Sequence, residues 1–114
     1  MATILLSDPD ESSRVLLTAL LEALGHRVVR DAGLERVDAA VIEPASREAM
    51  NEVRRLRARR RYLPVICVSG HRRGAASMRL EPVAFIGKPV PVGPFVRAVH
   101  SAVDRSRDES LVAA

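Results

Sequence analysis

The sequence predicts an α/β fold in which a parallel β-sheet carries helices on both faces. Short, almost wholly apolar segments alternate along the chain with longer segments whose apolar residues recur at helical spacing. Strands that alternate with helices in this way form parallel sheets. The apolar segments lack alternating polar positions, which is typical of strands covered on both faces. With 114 residues, the chain has the length of one domain.

The composition is that of a globular protein, with 47% hydrophobic and 28% charged residues. No apolar run approaches the ~18 residues of a membrane span. The N-terminal "MATILLSDPD" has no basic segment and no cleavage site, which favours a cytoplasmic location. The single cysteine, Cys67, lies within "PVICVS", so we expect a small buried side chain rather than a reactive thiol.

The first strand is predicted at residues 3–7. The helix after it is expected to begin with Asp8 as its N-cap and Pro9 in the first helical position. Residues at helical spacing would form its inner face: Val15, Leu16, Ala19, Leu20, Ala23 and Leu24. Four further strands are predicted at residues 26–30, 37–43, 63–69 and 83–89.

Two more helices follow from helical spacing of apolar residues. One covers residues 46–60, with Met50, Val53 and Leu56 facing inward. The last begins at Pro94 and packs through Phe95, Val96, Val99 and Val103. We expect the domain to span residues 1–104 and residues 105–114 to form a polar C-terminal tail.

The connection between the second and third strands is short. About seven residues, Asp31 to Val37, join them, whereas a parallel crossover usually needs a dozen or more. Seven extended residues reach at most ~23 Å, which is enough to cross the sheet without a helix. We therefore expect the helix at this position to be missing or reduced to one turn. Its loss would uncover apolar sheet surface, and such patches usually mark interfaces.

Polar residues lie at or just after the carboxyl ends of the predicted strands, which is where parallel sheets have their functional crevices. Asp8 follows the first strand, Glu43 the third and Lys88 the last, while Ser69 ends the fourth. Lys88 is the only lysine in a chain that otherwise uses arginine, so it is expected where a compact ammonium is needed. The sequence thus predicts that two acids, a hydroxyl and this lysine meet at one edge of the sheet.

The segments "ILLSDPDESSR", "ALGHRVV", "LRARRRYLPVICVSG" and "FIGKPV" resemble, in this order, receiver domains of bacterial two-component response regulators. The resemblance covers residues 2–103 and implies a CheY-like, flavodoxin-like sheet of five strands in the order 2-1-3-4-5. In that family an aspartate after the third strand accepts a phosphoryl group from a histidine kinase. Two acids after the first strand hold Mg²⁺, a hydroxyl and a lysine contact the phosphoryl oxygens, and an aromatic residue changes position.

The family's residues can be placed on this sequence one at a time. Glu43 stands in the position of the phosphoacceptor aspartate. Asp8 matches the first acid, but Pro9 occupies the position of the second. The remaining positions match the family: Ser69, Gly70 and Lys88 as phosphoryl contacts, Phe85 as the switch aromatic, and Pro89 as a cis-proline.

The two departures leave three hypotheses open for the crevice. Mg²⁺ prefers an octahedral set of oxygen ligands, and only Asp8 and Glu43 remain to supply carboxylates. We therefore expect no metal and no cofactor. The longer Glu43 side chain could reach Lys88 and Ser69 directly and hold one state permanently, or it could be a tolerated acid in a retired site. In the third hypothesis Glu43 is still phosphorylated by a histidine kinase with Mg²⁺.

The sequence favours an atypical receiver domain, not an enzyme, that acts as a phosphorylation-independent interaction or dimerisation module. Its partner would be a signalling protein or a second copy of the chain, contacted at the short connection or at the last strand and helix. The other alternative is a small nucleic-acid-binding protein that uses the run "RRLRARRR" at residues 54–61. That alternative is less favoured, because aromatic residues for base stacking are scarce and no reader motif is present.

Overall fold

Five parallel strands form one sheet in the order β2-β1-β3-β4-β5. The structure is a computed structural model that describes the backbone of residues 1–113 and the side chains of residues 1–109. The strands are β1 (Thr3–Ser7), β2 (Arg27–Val29), β3 (Ala39–Ile42), β4 (Val65–Ser69) and β5 (Ala84–Gly87). The helices are α1 (Glu11–Ala23), α2 (Arg47–Arg59), α3 (Ala75–Arg79) and α4 (Val92–Ala113). The predicted fold class and strand order are confirmed.

Helices cover both faces of the sheet, and the strands send alternate side chains to each. On one face Ile4 and Leu6 pack with α1 and α4, where Phe95 is fully buried. On the other face Leu5 packs with α2. The predicted inner face of α2 is confirmed, with Met50, Val53 and Leu56 in this second cluster. None of the described helices has the combination of length and apolar character that a membrane span requires.

The start of α1 differs from the prediction, because Asp10 and not Asp8 is its N-cap. The Asp10 carboxylate accepts hydrogen bonds from the backbone N–H and the hydroxyl of Ser13, at 3.0 and 2.7 Å. These bonds lower the pKa of the Asp10 carboxyl. Asp8 remains in the preceding loop, where its Oδ1 accepts the N–H of Asp10 at 2.8 Å. Pro9 therefore lies outside the helix, and the second Asp8 oxygen is available to the crevice.

The predicted inner face of α1 is also partly wrong. Leu17 and Leu21 are fully buried, whereas Val15 and Leu16 are 64% and 44% exposed. Apolar residues are so dense in this segment that spacing alone cannot choose between adjacent stripes. The packing of α1 against the sheet makes the choice.

The connection from β2 to β3 has no helix, as predicted. The expectation that apolar sheet surface would be exposed there is wrong. Ala32 and Val37 pack on the sheet in its place, and Leu5, Ala40 and Ile42 beneath them are almost completely buried. The connection itself therefore covers this part of the sheet.

Arginines of α2 and the residue after it stabilise this connection through its backbone carbonyls. Arg55 and Arg59 both donate to the carbonyl of Gly33, at 3.1 and 2.9 Å. Arg60 donates to the carbonyl of Val37 at 2.7 Å. In a helix these backbone carbonyls would accept hydrogen bonds from backbone N–H groups. Here they accept hydrogen bonds from arginine side chains instead. Much of the arginine run is therefore engaged within the protein.

The C-terminal helix α4 begins at Val92, two residues before the predicted start, and continues to Ala113. Residues expected to form a polar tail thus continue the helix. Arg60 donates to the hydroxyl of Ser106 at 2.7 Å and to the carboxylate of Glu109 at 3.2 Å. These contacts hold the end of α4 against the end of α2. The short helix α3 was not predicted, because five residues are too few to show periodicity.

We expect stability to fall with acid through His26. Its Nδ1 accepts the N–H of Ala2 at 3.1 Å, and burial lowers its pKa from an ordinary value of 6.5. Below pH 6.5 the unfolded chain therefore binds more protons at His26 than the folded chain does. The free energy of unfolding is highest above this pH and decreases as the pH falls from 6.5 towards the lowered pKa of the folded state. Urea unfolding at a series of pH values from about 8 to about 5 should show a smaller loss for His26→Gln than for the native chain. His100→Gln removes a nearby charge that also lowers the pKa of His26, though less than burial does, so it should reduce the loss less than His26→Gln.

Candidate functional site

The carboxyl ends of four strands place the predicted site residues at one edge of the sheet. In the strand register Ser7 pairs with Ile42, Ile42 with Cys67, and Ser69 with Gly87. The residues that follow β1, β3 and β5 therefore meet beside Ser69. The four polar residues predicted at this edge form two pairs there, Glu43 with Ser69 and Asp8 with Lys88.

Glu43 is buried, with 6% of its surface exposed. Its Oε1 accepts a hydrogen bond from the hydroxyl of Ser69 at 2.9 Å, so the expected contact between these side chains is present. The Ser69 oxygen in turn accepts the N–H of His71 at 3.0 Å. The His71 imidazole lies on the exposed side of the crevice, with Nε2 3.9 Å from Glu43 Oε1.

The expected contact between Lys88 and Glu43 is not present. Its Nζ donates to Asp8 Oδ2 at 2.8 Å. The Asp8 side chain is only 2% exposed and needs a counter-charge, whereas the Lys88 side chain is 21% exposed. Since Asp8 does not cap α1, its carboxylate is free to pair with the only lysine. Glu43 is left with a neutral hydroxyl.

One oxygen of Glu43 has no partner. Oε2 is buried and receives no hydrogen bond from any described residue. Burial, followed by the neighbouring charge of Glu43, raises the pKa of the Cys67 thiol to about 11. Cys67 is fully buried and stays protonated, as expected for a structural residue. Lys88 pairs with Asp8, and no lysine or arginine among the described residues pairs with the carboxylate of Glu43, whose nearest basic group is the His71 imidazole.

The side chains of the crevice do not form a Mg²⁺ site. Both oxygens of Asp8 already accept hydrogen bonds, Oδ1 from the N–H of Asp10 and Oδ2 from Lys88, and the Pro9 side chain has no oxygen. Glu43 Oε2 is the one buried carboxylate oxygen without a hydrogen bond among the described residues, whereas Mg²⁺ needs an octahedron of oxygens. Within the described residues no group of three or more His, Cys, Asp or Glu could hold a metal ion. The ammonium of Lys88 occupies the side of Asp8 that a cation would need.

The other predicted site residues border this crevice. Gly70 is exposed directly after Ser69. Phe85 is half-buried against the second core cluster, and the guanidinium of Arg73 lies 5.4 Å from the centre of its ring. The Lys88–Pro89 peptide bond is cis.

Sequence reasoning missed two contacts that shape the site. Arg14 donates to the carbonyl of Asp8 at 2.9 Å, and Asp10 caps α1 through Ser13. Aspartate is a preferred N-cap residue, so Asp10 was available from the sequence as a cap candidate beside Asp8. We find no sequence signal for the Arg14 contact.

A scan of the sequence against protein-family models and a search among curated proteins give no match. Solved structures are similar in fold. The signal receiver domain of a modulated diguanylate cyclase from Desulfovibrio desulfuricans G20 matches with a TM-score of 0.78 and 21% identity over 96% of this chain and 98% of that one. A CheY-like response regulator receiver domain protein from Methanospirillum hungatei JF-1 matches with a TM-score of 0.79 and 20% identity, again over 96% and 98%.

NtrX from Brucella abortus, in complex with ATP, matches with a TM-score of 0.78 and 23% identity. The match covers 98% of this chain but 29% of NtrX, so this chain corresponds to less than a third of that protein. These identities are too low to transfer an activity, but the agreement along almost the whole chain shows the fold. Together with the strand order and the crevice at the carboxyl edge, it shows that the chain has the fold of CheY-like response regulator receiver domains.

Proposed function

We propose that this chain is a receiver-type interaction module of signalling whose crevice is set without phosphorylation. The observation that carries the proposal is the hydrogen bond from Ser69 to Glu43, at 2.9 Å, beside the ion pair of Lys88 and Asp8. The hydroxyl and the lysine already have carboxylate partners within the chain. A phosphoryl group would have to displace both.

The chemistry of transfer supports the same proposal. A carboxylate must present an accessible oxygen in line with the phosphoryl group, and a cation must neutralise the charge. Glu43 Oε1 holds Ser69, and Oε2 is buried. Lys88 is already paired with Asp8. The unpartnered oxygen of the nucleophile is buried and the neutralising charge is already paired, and we propose no turnover.

The partner is proposed to be a signalling protein or a second copy of the chain. A homodimer would use the face of β5 and α4, where Val92 is 53% exposed. Sedimentation at low micromolar concentration would show a purely monomeric protein if dimerisation plays no part. Nucleic acid is a poor candidate, because Arg55, Arg57 and Arg60 already donate to carbonyls or carboxylates of the protein.

Incubation with acetyl phosphate and Mg²⁺, followed by intact-mass measurement, tests the proposal. We expect no phosphoryl group on the native chain. The double variant Pro9→Asp/Glu43→Asp, which restores the family's acids, is the matched control and should gain labelling. Stoichiometric labelling of the native chain that disappears in Glu43→Gln would overturn the proposal in favour of a phosphoacceptor regulated by a histidine kinase.

A further inference from the structure

A cleft lies beside the β2–β3 connection, and none of the crevice residues lines it. We call it the α2 cleft. It lies between the β2–β3 connection and the C-terminal half of α2 and has a volume of about 360 Å³. Its apolar lining comes from Leu34, Val37, Leu56 and Leu63, and Arg36 and Arg59 are at its rim.

The apolar lining is unevenly packed. Val37, Leu56 and Leu63 are almost fully buried and belong to the second core cluster. Leu34 lines the same cleft but is 93% exposed, more than any other large apolar side chain among the described residues. One exposed leucine is ordinary by itself, but here it borders a concave apolar surface. A partner could bury Leu34 and the cleft lining together.

Among the described residues, internal ion pairs engage every charged side chain that lines the α2 cleft except Arg59, and Arg36 pairs with Asp38 at 3.6 Å. Both acids in its lining already have partners, Glu35 with Arg27 and Glu109 with Arg60. Within the part of the chain that the structure describes, the guanidinium of Arg59 donates to a neutral group, the carbonyl of Gly33.

Two exposed arginines near Arg59 in the chain are also without an acidic partner among the described residues. Arg54 donates to the amide oxygen of Asn51, and Arg61 stacks on the ring of Tyr62 at 5.3 Å. Neither of these two lines the α2 cleft, so the cleft is an apolar surface with one guanidinium, that of Arg59, that has no acidic partner among the described residues.

We infer that the α2 cleft binds an acidic segment of a partner protein that presents one or two bulky apolar side chains. The apolar side chains would pack on Leu34 and Leu56, and carboxylates would pair with Arg59. A second copy of the chain does not suit the cleft, because a symmetric contact would bring Arg59 and its neighbours against themselves in a protein of net charge +4. Phosphates of a nucleic acid would pair with the arginines but leave the apolar lining unfilled. The inference rests on the proposed interaction role and adds the chemistry of the partner.

Fluorescence anisotropy with the complete chain tests the inference. The probe is a fluorescein-labelled helical peptide with leucines on one face and glutamates beside them. Two further peptides replace the leucines by serine or the glutamates by glutamine. We expect the first peptide to bind in the micromolar range and each replacement to weaken binding at least about tenfold.

Variants of the chain locate the binding. Leu34→Ser and Arg59→Glu should each weaken binding at least about tenfold. Arg97→Glu makes the same charge change at an exposed position of α4, on the other face of the sheet, and should have little effect. Leu34 is exposed and Arg59 makes one hydrogen bond to the fold, so both variants should keep the native melting temperature to within a few degrees.

Three results would overturn the inference: equal loss in Arg59→Glu and Arg97→Glu, full binding of the serine peptide, or stronger binding of a single-stranded DNA oligonucleotide that depends on Leu34. No phosphodonor is present in the peptide-binding assay. A peptide that does not bind would contradict this inference but not the proposed absence of phosphorylation. Phosphorylation of the native chain by acetyl phosphate would contradict the proposed function but not the peptide-binding result.

Discussion

Replacing Arg60 with alanine is expected to lower the free energy of unfolding by about 3 kcal/mol. The Arg60 side chain is only 17% exposed. It donates to the carbonyls of Val37 and Asp38, to the hydroxyl of Ser106 and to the carboxylate of Glu109. Val37 and Ser106 are buried, so alanine would remove a charged donor from two buried acceptors. The penalty comes mainly from these lost buried hydrogen bonds rather than from the loss of a surface ion pair.

Thermal and urea unfolding followed by circular dichroism measure this effect. A loss of 3 kcal/mol corresponds to a fall in melting temperature of roughly 10 °C or more in a domain of this size. Arg59→Ala is the matched control from the same run, because Arg59 is exposed and contacts one carbonyl, and it should cost less than about 1 kcal/mol. Equal effects of the two variants would show that Arg60 does not stabilise the fold in the way its contacts indicate.

Replacing Lys88 with methionine is expected to have a similar cost, about 3 kcal/mol, through Asp8. The Asp8 side chain is almost completely buried, and the ammonium of Lys88 is its counter-charge. Methionine keeps the length of the side chain but leaves a buried carboxylate unpaired. Most of the lost stability should therefore come from the buried carboxylate of Asp8, which no longer has a counter-charge.

A double-mutant cycle isolates that cost. The variant Asp8→Asn/Lys88→Met removes both charges and should regain most of the stability lost in Lys88→Met, which gives a large coupling free energy from urea unfolding. Glu43→Gln is the control within the crevice, because Glu43 does not contact Lys88, and it should not rescue Lys88→Met. A cycle in which Glu43→Gln rescues as well as Asp8→Asn would indicate that Lys88 serves both acids.

The sequence located the crevice but did not determine its pairs. In a parallel sheet the strand ends meet at one edge, so Asp8, Glu43, Ser69 and Lys88 could be placed together without coordinates. Which of the two acids pairs with Lys88 depends on local contacts that cannot be deduced from the spacing of residues in the sequence. Here the decisive detail is the cap of α1: once Asp10 has that role, the carboxylate of Asp8 turns to the crevice.

The connection between β2 and β3 is a second feature that could be predicted only in part from the sequence. Its length was enough to predict that a helix is missing. The covering of the sheet could not be predicted, because it depends on arginines that reach a backbone carbonyl more than twenty residues earlier in the chain. Side chain to carbonyl contacts over such distances leave no periodicity in the sequence.

The position of Arg60 also has a consequence for the way the molecule opens. One guanidinium joins the β2–β3 connection, the end of α2 and the end of α4, which belong to layers on opposite faces of the sheet. Separate layers usually exchange their amide hydrogens in separate local openings. In this chain the amides near the ends of α2 and α4 should exchange together, as one cooperative unit.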